Sequence, residues 1–231
     1  VIHVLISPTM LSTFNTCPYK FKIIYVDERR PLPKPEYEYG KRIHAIIAEY
    51  YRLLPDDATP SDVPITLGQA IKRVMGTIDE NVVKYLKGFE DFEKQRIVWH
   101  INPKPLMFET EVKKGYIQGV IDAVFKKNGD NVIVDWKTGM IRDPNVDEHL
   151  KIQGNLYMYL MNAKEIYFVF IRYNTWHKLT YDEKFILDKL SKFVDALNKN
   201  EFPRREGGQC DRCEVNLHCY FNKYGIRWWE L

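Results

Sequence analysis

Between Pro103 and Gly139 three short β-type segments follow one another with almost nothing between them, and this compression constrains the fold more than any other feature. The segments are 107–113 (MFETEVK), 116–126 (YIQGVIDAVFK) and 131–137 (NVIVDWK). Their connections hold Lys114-Gly115 and Asn128-Gly129-Asp130, residues typical of tight turns. Strands joined by so few residues pair antiparallel, because a parallel pair needs a long crossover. A three-stranded meander is therefore expected.

Helical periodicity surrounds the meander. Ser7-Pro8 reads as a cap followed by proline in the first turn, with Met10, Leu11, Phe14 and Cys17 at helical spacing. The prolines of 31–35 mark a loop. Residues 40–53 carry an apolar stripe of Ile43, Ile46, Ile47 and Tyr50. After the loop 55–64, helices are expected over about 66–78 and 80–98. Beyond Gly139 the pattern predicts a helix over 147–163, a strand over 166–173 and a short partner near Trp176–Leu179. A long amphipathic helix over 182–199 follows, and then a cysteine-rich tail. This order predicts an α/β fold with a mixed sheet flanked by helices. The whole chain is read as one domain, with a helical subdomain over about 36–100 and a core over about 101–200.

Composition narrows the classes little. The chain has 231 residues, 45% of them apolar, enough for a core of ordinary size. A net charge of +3, from 34 basic and 31 acidic residues, permits a nucleic-acid partner without arguing for one. No run approaches the ~20 apolar residues that span a bilayer, so no membrane association is expected. The apolar start, Val1 to Ile6, has no basic leader, and a cytoplasmic protein is expected. In a reducing compartment four cysteines read as metal ligands rather than disulfides.

The chemistry-bearing residues cluster around the meander. Period-two alternation puts Asp135 and Lys137 on one side of their strand, and Asp122 lies beside them if the second and third segments form a hairpin. Asp135 follows the apolar run Val132-Ile133-Val134, where a charge is costly without a compensating partner. Two carboxylates on adjacent strands suit Mg²⁺ or Mn²⁺, and a neighbouring lysine suits a developing oxyanion. D-x-K alone is short and common. His44 alone reads as an ordinary helix residue, and Gln153 and Tyr157, spaced i, i+4, as an ordinary helix face.

Taken in order, G-K-R-I-H (40–44), G-V-I-D (119–122), D-W-K-T-G (135–139) and Q-G-N-L-Y (153–157), with L-S-T-F-N-T-C-P-Y-K-F (11–21) upstream, resemble the RecB-like nucleases of the PD-(D/E)XK superfamily. The resemblance implies a restriction-endonuclease-like fold. It also implies metal ligation by His44, Asp122, Asp135 and the backbone carbonyl of Trp136, catalysis by Lys137 with the two aspartates, and DNA positioning by Gln153 and Tyr157. Ile121-Asp122 stands where the superfamily's name has Pro-Asp.

Cys210-x2-Cys213-x5-Cys219 lies 193 positions after Cys17. Thiolates so arranged take an iron–sulfur cluster or zinc, or stay free. A lone distant cysteine with a C-terminal trio is similar to the iron–sulfur subset of RecB-like nucleases, which implies that the segment 203–231 is joined to Cys17 through the cluster. Spacing does not set the cluster type; a four-iron cluster is taken ahead of a two-iron one. The chain has no Walker-type element. Its size resembles the CRISPR-associated RecB-like exonucleases, which implies cleavage of single-stranded DNA ends, 5′→3′, during spacer acquisition beside the adaptation integrase proteins. A stand-alone repair or viral-genome nuclease and a non-catalytic end-binding subunit are the alternatives. Oligomeric state is not legible.

Arg29-Arg30, Lys41-Arg42, Lys113-Lys114, Arg204-Arg205 and Arg227 are candidates for a phosphate path. Tyr19, Phe21, Tyr37, Tyr39 and Trp136 are candidates for stacking on bases. Trp228-Trp229 are expected to pack the tail down.

Overall fold

The computed structural model of the protein describes residues 5–29 and 36–225, without the side chains of 36 and 37. In chain order the elements are α1 (Pro8–Thr16), α2 (Pro18–Phe21), a π-helical turn (Lys22–Val26), α3 (Glu36–Leu53), α4 (Asp62–Met75), α5 (Glu80–Tyr85) and α6 (Lys87–Val98). There follow β1 (Met107–Lys114), β2 (Ile117–Lys127), β3 (Asp130–Lys137), α7 (Glu148–Met161), β4 (Glu165–Phe170), a 3₁₀ turn (Ile171–Tyr173) and β5 (Thr175–Thr180). The chain continues through α8 (Glu183–Lys199), a 3₁₀ turn (Gly208–Arg212) and α9 (Asn216–Tyr224). The loop 31–35, Arg30, Arg227 and the Trp228-Trp229 pair lie outside the described residues. The described chain forms two compact units, one of Leu5 with 36–182 and the other joining 6–29 to 183–225.

The first unit holds a mixed five-stranded sheet in the order β1-β2-β3-β4-β5. The expected meander is present: β1, β2 and β3 pair antiparallel. Asn128 and Gly129 both adopt positive φ, 51° and 88°, the backbone of a two-residue hairpin turn. The β3–β4 pair is parallel because α7 carries the chain across between them, and β5 returns antiparallel. The β-run 166–173 ends at Phe170, since Ile171–Tyr173 coil into a 3₁₀ turn closed by Asn174 at φ 48°. The helix expected over 80–98 is broken at Leu86 into α5 and α6.

Alternation divides the sheet between two layers. Ala123, Phe125, Val132, Val134 and Trp136 pack with the apolar faces of α3, α4 and α6, where the stripe Ile43, Ile46, Ile47 and Tyr50 is buried as its spacing predicts. The opposite face carries Asp135 and Lys137 toward α7. Trp136 is therefore a core residue, 2% exposed, with its ring 4.8 Å from Phe89 and 5.5 Å from Phe92. That corrects its expected role in stacking on bases: period two turns it away from the side of its charged neighbours. Buried in the same layer, the Arg96 guanidinium donates to Glu93 and to the carbonyls of Asn102 and Pro103, while Tyr51 Oη donates to Glu93. Both charges are thus paired and hydrogen-bonded, the condition for burying them.

In the second unit Ser7 Oγ accepts the Met10 N–H at 3.2 Å, the cap its sequence signals, and Pro8 occupies the first turn. Phe14, Phe21 and Phe193 meet edge to face, which packs α1 and α2 on α8. Phe21 is 1% exposed and, like Trp136, is core rather than a surface for bases. Cys17 breaks the helix between α1 and α2, and its neighbourhood grips the tail: Tyr19 N–H donates to Pro203 O, and Arg205 to Asn15 O. Among the described residues no helix is long and apolar enough to cross a membrane.

Candidate functional site

The site forms where the β1 ladder of β2 skips one pair and its β3 ladder ends. On the β1 side the pairing runs through Phe108↔Ala123 and Thr110↔Ile121 but skips the pair between them, Glu109 and Asp122. On the β3 side it stops at Ala123↔Val134, one step short of Asp122 and Asp135. The Trp136 N–H, left without a strand partner there, donates to Asp122 Oδ2 at 2.8 Å. Glu109 sits at φ 47°, a left-handed backbone that a non-glycine residue adopts at a cost. Its carboxylate reaches α3, where Oε1 meets His44 Nδ1 at 3.0 Å. His44 Nδ1 is also 3.8 Å from Asp122 Oδ1.

His44, Glu109 and Asp122 each offer a ligand atom, all within 4.8 Å of one another. Beside them Lys137 Nζ lies 2.7 Å from Asp135 Oδ2 and donates to Gln153 Oε1 at 2.7 Å, and Gln153 Nε2 donates to Tyr157 Oη at 3.2 Å. The spacing of Gln153 and Tyr157 thus aims both at the lysine from α7. Gly119 makes room for this: a Cβ there would stand 2.7 Å from Tyr157 Cε1.

Charge is out of balance. Burial opposes protonation of His44, but the Glu109 hydrogen bond and the charges of Asp122, Glu109 and Asp135 outweigh it and raise its pKa to about 9. Burial, then the charge of Asp135, pushes the Asp122 carboxyl up, against the pull of His44 and Lys137. Asp135, 2% exposed, has in Oδ2 an atom that takes no aligned hydrogen bond despite the nearby ammonium. Three carboxylates face one lysine and one histidine, so a divalent cation fits: it would relieve the repulsion, and oxygen with imidazole is a donor set for Mg²⁺ or Mn²⁺.

The sequence profile of the PD-(D/E)XK nuclease superfamily matches residues 5–220. The chain belongs to the PD-(D/E)XK nuclease superfamily. Membership indicates a nuclease, and members of this superfamily use divalent metals, which agrees with the acidic group. No curated protein matches the chain. A solved structure described as "Crystal structure of SSO0001" is 14% identical, with a TM-score of 0.37 over 78% of this chain and 94% of that one.

Within this superfamily member, Glu109 is the site residue the motifs missed. It was within reach of counting: a turn at Gly115-Tyr116 pairs Lys114 with Ile117, and stepping back along both strands sets Glu109 across from Asp122. Asp135 stands outside the tight ligand group, paired with Lys137.

The second unit brings all four cysteines to one cavity of about 540 Å³. Cys17 comes from the α1–α2 break, Cys210 and Cys213 from the last 3₁₀ turn and its end, and Cys219 from α9. Lys20, Arg204 and Arg212 line it too. Arg204 lies 4.1 Å from the Tyr19 ring centroid and hydrogen-bonds the Cys219 sulfur. Burial pushes the Cys213 thiol up, and the Val215 N–H and the Lys20 charge pull it down. Among the described residues the sulfurs do not gather as tightly as the acidic group.

Proposed function

We propose that the protein is a metal-dependent DNA exonuclease acting on single-stranded ends, of the CRISPR-associated RecB-like type, carrying a four-iron cluster on Cys17, Cys210, Cys213 and Cys219. The convergence of His44, Glu109 and Asp122 beside the Asp135–Lys137 pair carries the hydrolytic part of this reading.

His44, Asp122 and Glu109 would hold a divalent cation, with Asp135 and the Trp136 carbonyl as further candidate ligands, and the cation would supply Lewis acidity toward a scissile phosphate and its attacking water. The residues do the rest. Lys137 presents its ammonium where negative charge grows on the phosphate in the transition state. Asp135 lies 2.7 Å from that ammonium, and Gln153 fixes its direction. Tyr157 holds Gln153 from behind, and both stand ready to meet the strand. Trp136 anchors the Asp122 carboxylate by its N–H, so the ligand is aimed before any cation arrives.

The cluster reading rests on the all-sulfur donor set in one cation-lined cavity. A single zinc with Zn–S of about 2.3 Å would need its thiolates roughly 3.8 Å apart; an iron cluster spreads them wider, which suits sulfurs that share a cavity without crowding. The setting in spacer acquisition, with integrase proteins as partners, rests on the resemblance of the ordered motifs.

The test is digestion of end-labelled single strands and duplexes by anaerobically purified protein with Mn²⁺ or Mg²⁺. Shortening from the 5′ end, abolished by Lys137→Ala, is expected. Internal cuts in both substrates would replace the exonuclease, and equal behaviour of wild type and Lys137→Ala would remove the nuclease reading. Visible absorbance with bound iron tests the cluster; stoichiometric zinc in a colourless protein would reverse that choice.

A further inference from the structure

An aromatic and cationic patch adjoins the catalytic strand in the first unit. Lys137 ends β3, and the next carbonyl, Thr138 O, accepts the Tyr85 hydroxyl at 2.9 Å. Tyr39, from the first turns of α3, meets the Tyr85 ring edge to face at 5.2 Å and 81°. The 3₁₀ turn after β4 adds Tyr173, with the Arg172 guanidinium carbon 5.7 Å from its ring centroid. The charge of Arg172 is felt at both Tyr39 and Tyr85, and that of Arg42 at Tyr39. Tyr39 and Tyr173 are 43% and 40% exposed, and both arginines are exposed.

The arrangement is built rather than scattered. A Cβ at Gly88 would stand 2.2 Å from Ile171 O and 2.8 Å from Asn174 Cα, so only glycine lets the start of α6 nest against the turn that carries Arg172 and Tyr173. Asn174 Nδ2 donates to Asp91 Oδ2 at 2.9 Å and fastens that turn to the same helix. Asp79, the acid whose charge reaches Tyr39, is engaged by the Asn81 and Val82 N–H groups as the cap of α5. Tyr85 is thereby fixed by its hydroxyl, while Tyr39 and Tyr173 keep open ring surface beside exposed guanidinium groups.

Exposed rings of this kind suit bases with open π-faces, and guanidinium groups suit both bases and phosphates. A duplex hides its base faces by stacking; an unpaired strand offers them. We propose that Tyr39, Tyr173 and Arg172, braced by Tyr85, form a stacking site for one or two unpaired bases of the strand whose phosphate lies at Lys137. This rests on the nuclease reading and names what that site selects: single-stranded nucleic acid, by the faces of its bases and without regard to sequence.

The test is fluorescence anisotropy of labelled oligothymidine and of a duplex of equal length, in a Lys137→Ala background with Mn²⁺. Tyr39→Ala, Tyr173→Ala and Arg172→Ala each weaken single-strand binding by about tenfold and leave duplex binding within about twofold, and Tyr39→Trp keeps parental affinity. A 2-aminopurine base near the cleaved end is quenched by the parent and less so by Tyr39→Ala. Unchanged single-strand affinity overturns the stacking site, as does an equal loss for single strand and duplex, which means charge alone. Because binding is read without cleavage, absence of hydrolysis in the wild-type protein overturns the nuclease reading and leaves the stacking result standing.

Discussion

The acidic site and the cysteine cavity are both candidate metal centres, yet they are prepared to different degrees. In the first unit three ligand atoms already lie within 4.8 Å of one another, His44 from α3 and Glu109 and Asp122 from neighbouring strands, with Asp122 held by the Trp136 N–H and Glu109 on His44. In the second, four sulfurs line a cavity of about 540 Å³ without gathering so closely. Paired strand on either side of the gap and the Trp136 N–H set the acidic ligands, whereas the cysteines come from short helices and a 3₁₀ turn. The acidic site is thus organised by the fold, and the sulfur site has more of its order left to be supplied by what it binds.

Breaking each site alone should show this contrast at its largest. Asp122→Ala lowers metal-dependent cleavage by about a thousandfold or more, while the anaerobic protein keeps its iron and its absorbance. Cys213→Ser loses both, and the unfolding free energy of its unit falls by roughly several kcal/mol, because metal binding there is folding energy. Mn²⁺ affinity at the acidic site stays within about twofold, by calorimetry. Loss of Mn²⁺ binding in Cys213→Ser would end the claim that the acidic site is organised independently.

Glu109→Gln sharpens the comparison within the acidic site. It keeps the size of the side chain but removes a charge and leaves only a neutral amide oxygen to accept from His44. Mn²⁺ affinity should fall by about 10–100-fold. The His44 ring resonances of the metal-free protein should move as well, which a remote structural effect would not produce. A silent substitution would leave His44 and Asp122 as ligands without Glu109.

Protons compete with the cation, and the direction can be worked out. His44, raised from 6.5 to about 9, is an imidazolium at neutral pH and must lose its proton to bind a metal. Asp122, also raised, must lose one at lower pH. Mn²⁺ affinity should therefore rise by about tenfold per pH unit for each proton released, with one proton displaced near pH 8 and approaching two as pH falls. For the metal-free fold the sign is opposite. The raised His44 contributes stability that is complete below about pH 6.5 and is lost as pH rises through about 9. The raised Asp122 likewise loses stability as pH rises above the ordinary carboxylate range. Calorimetry in buffers of different ionisation enthalpy counts the protons, and metal affinity independent of pH would contradict the assignment of His44.

The smallest effect is expected at the rim of the sulfur cavity. Lys20 Nζ pairs with Glu214 at 2.9 Å, with side chains 19% and 33% exposed. Lys20→Met should lower stability by less than about 1 kcal/mol. A larger loss would mean that this pair, rather than the cysteines, holds the tail to the N-terminal helices.

The sequence by itself determined the meander, the helix stripe at Ile43, Ile46, Ile47 and Tyr50, and the shared side of Asp135 and Lys137. These are local: turn residues set the connections, and periods of 2 and 3.6 set which side chains share a face. It also carried the ordered motifs that place the chain in its superfamily. What only tertiary structure decided were meetings between distant segments. Glu109 reaches His44 because the β1–β2 ladder breaks beside Asp122, and a broken ladder leaves no mark in composition or period. Trp136 and Phe21 have the rings of a base-stacking surface and are instead core, because burial depends on which layer covers a face. Cys17 shares a cavity with Cys210, 193 positions on, because α1, α2 and α8 pack through their phenylalanines while the tail hydrogen-bonds to the α1–α2 corner. Contacts of that range are set by packing and hydrogen bonding across elements, which no window of the chain contains.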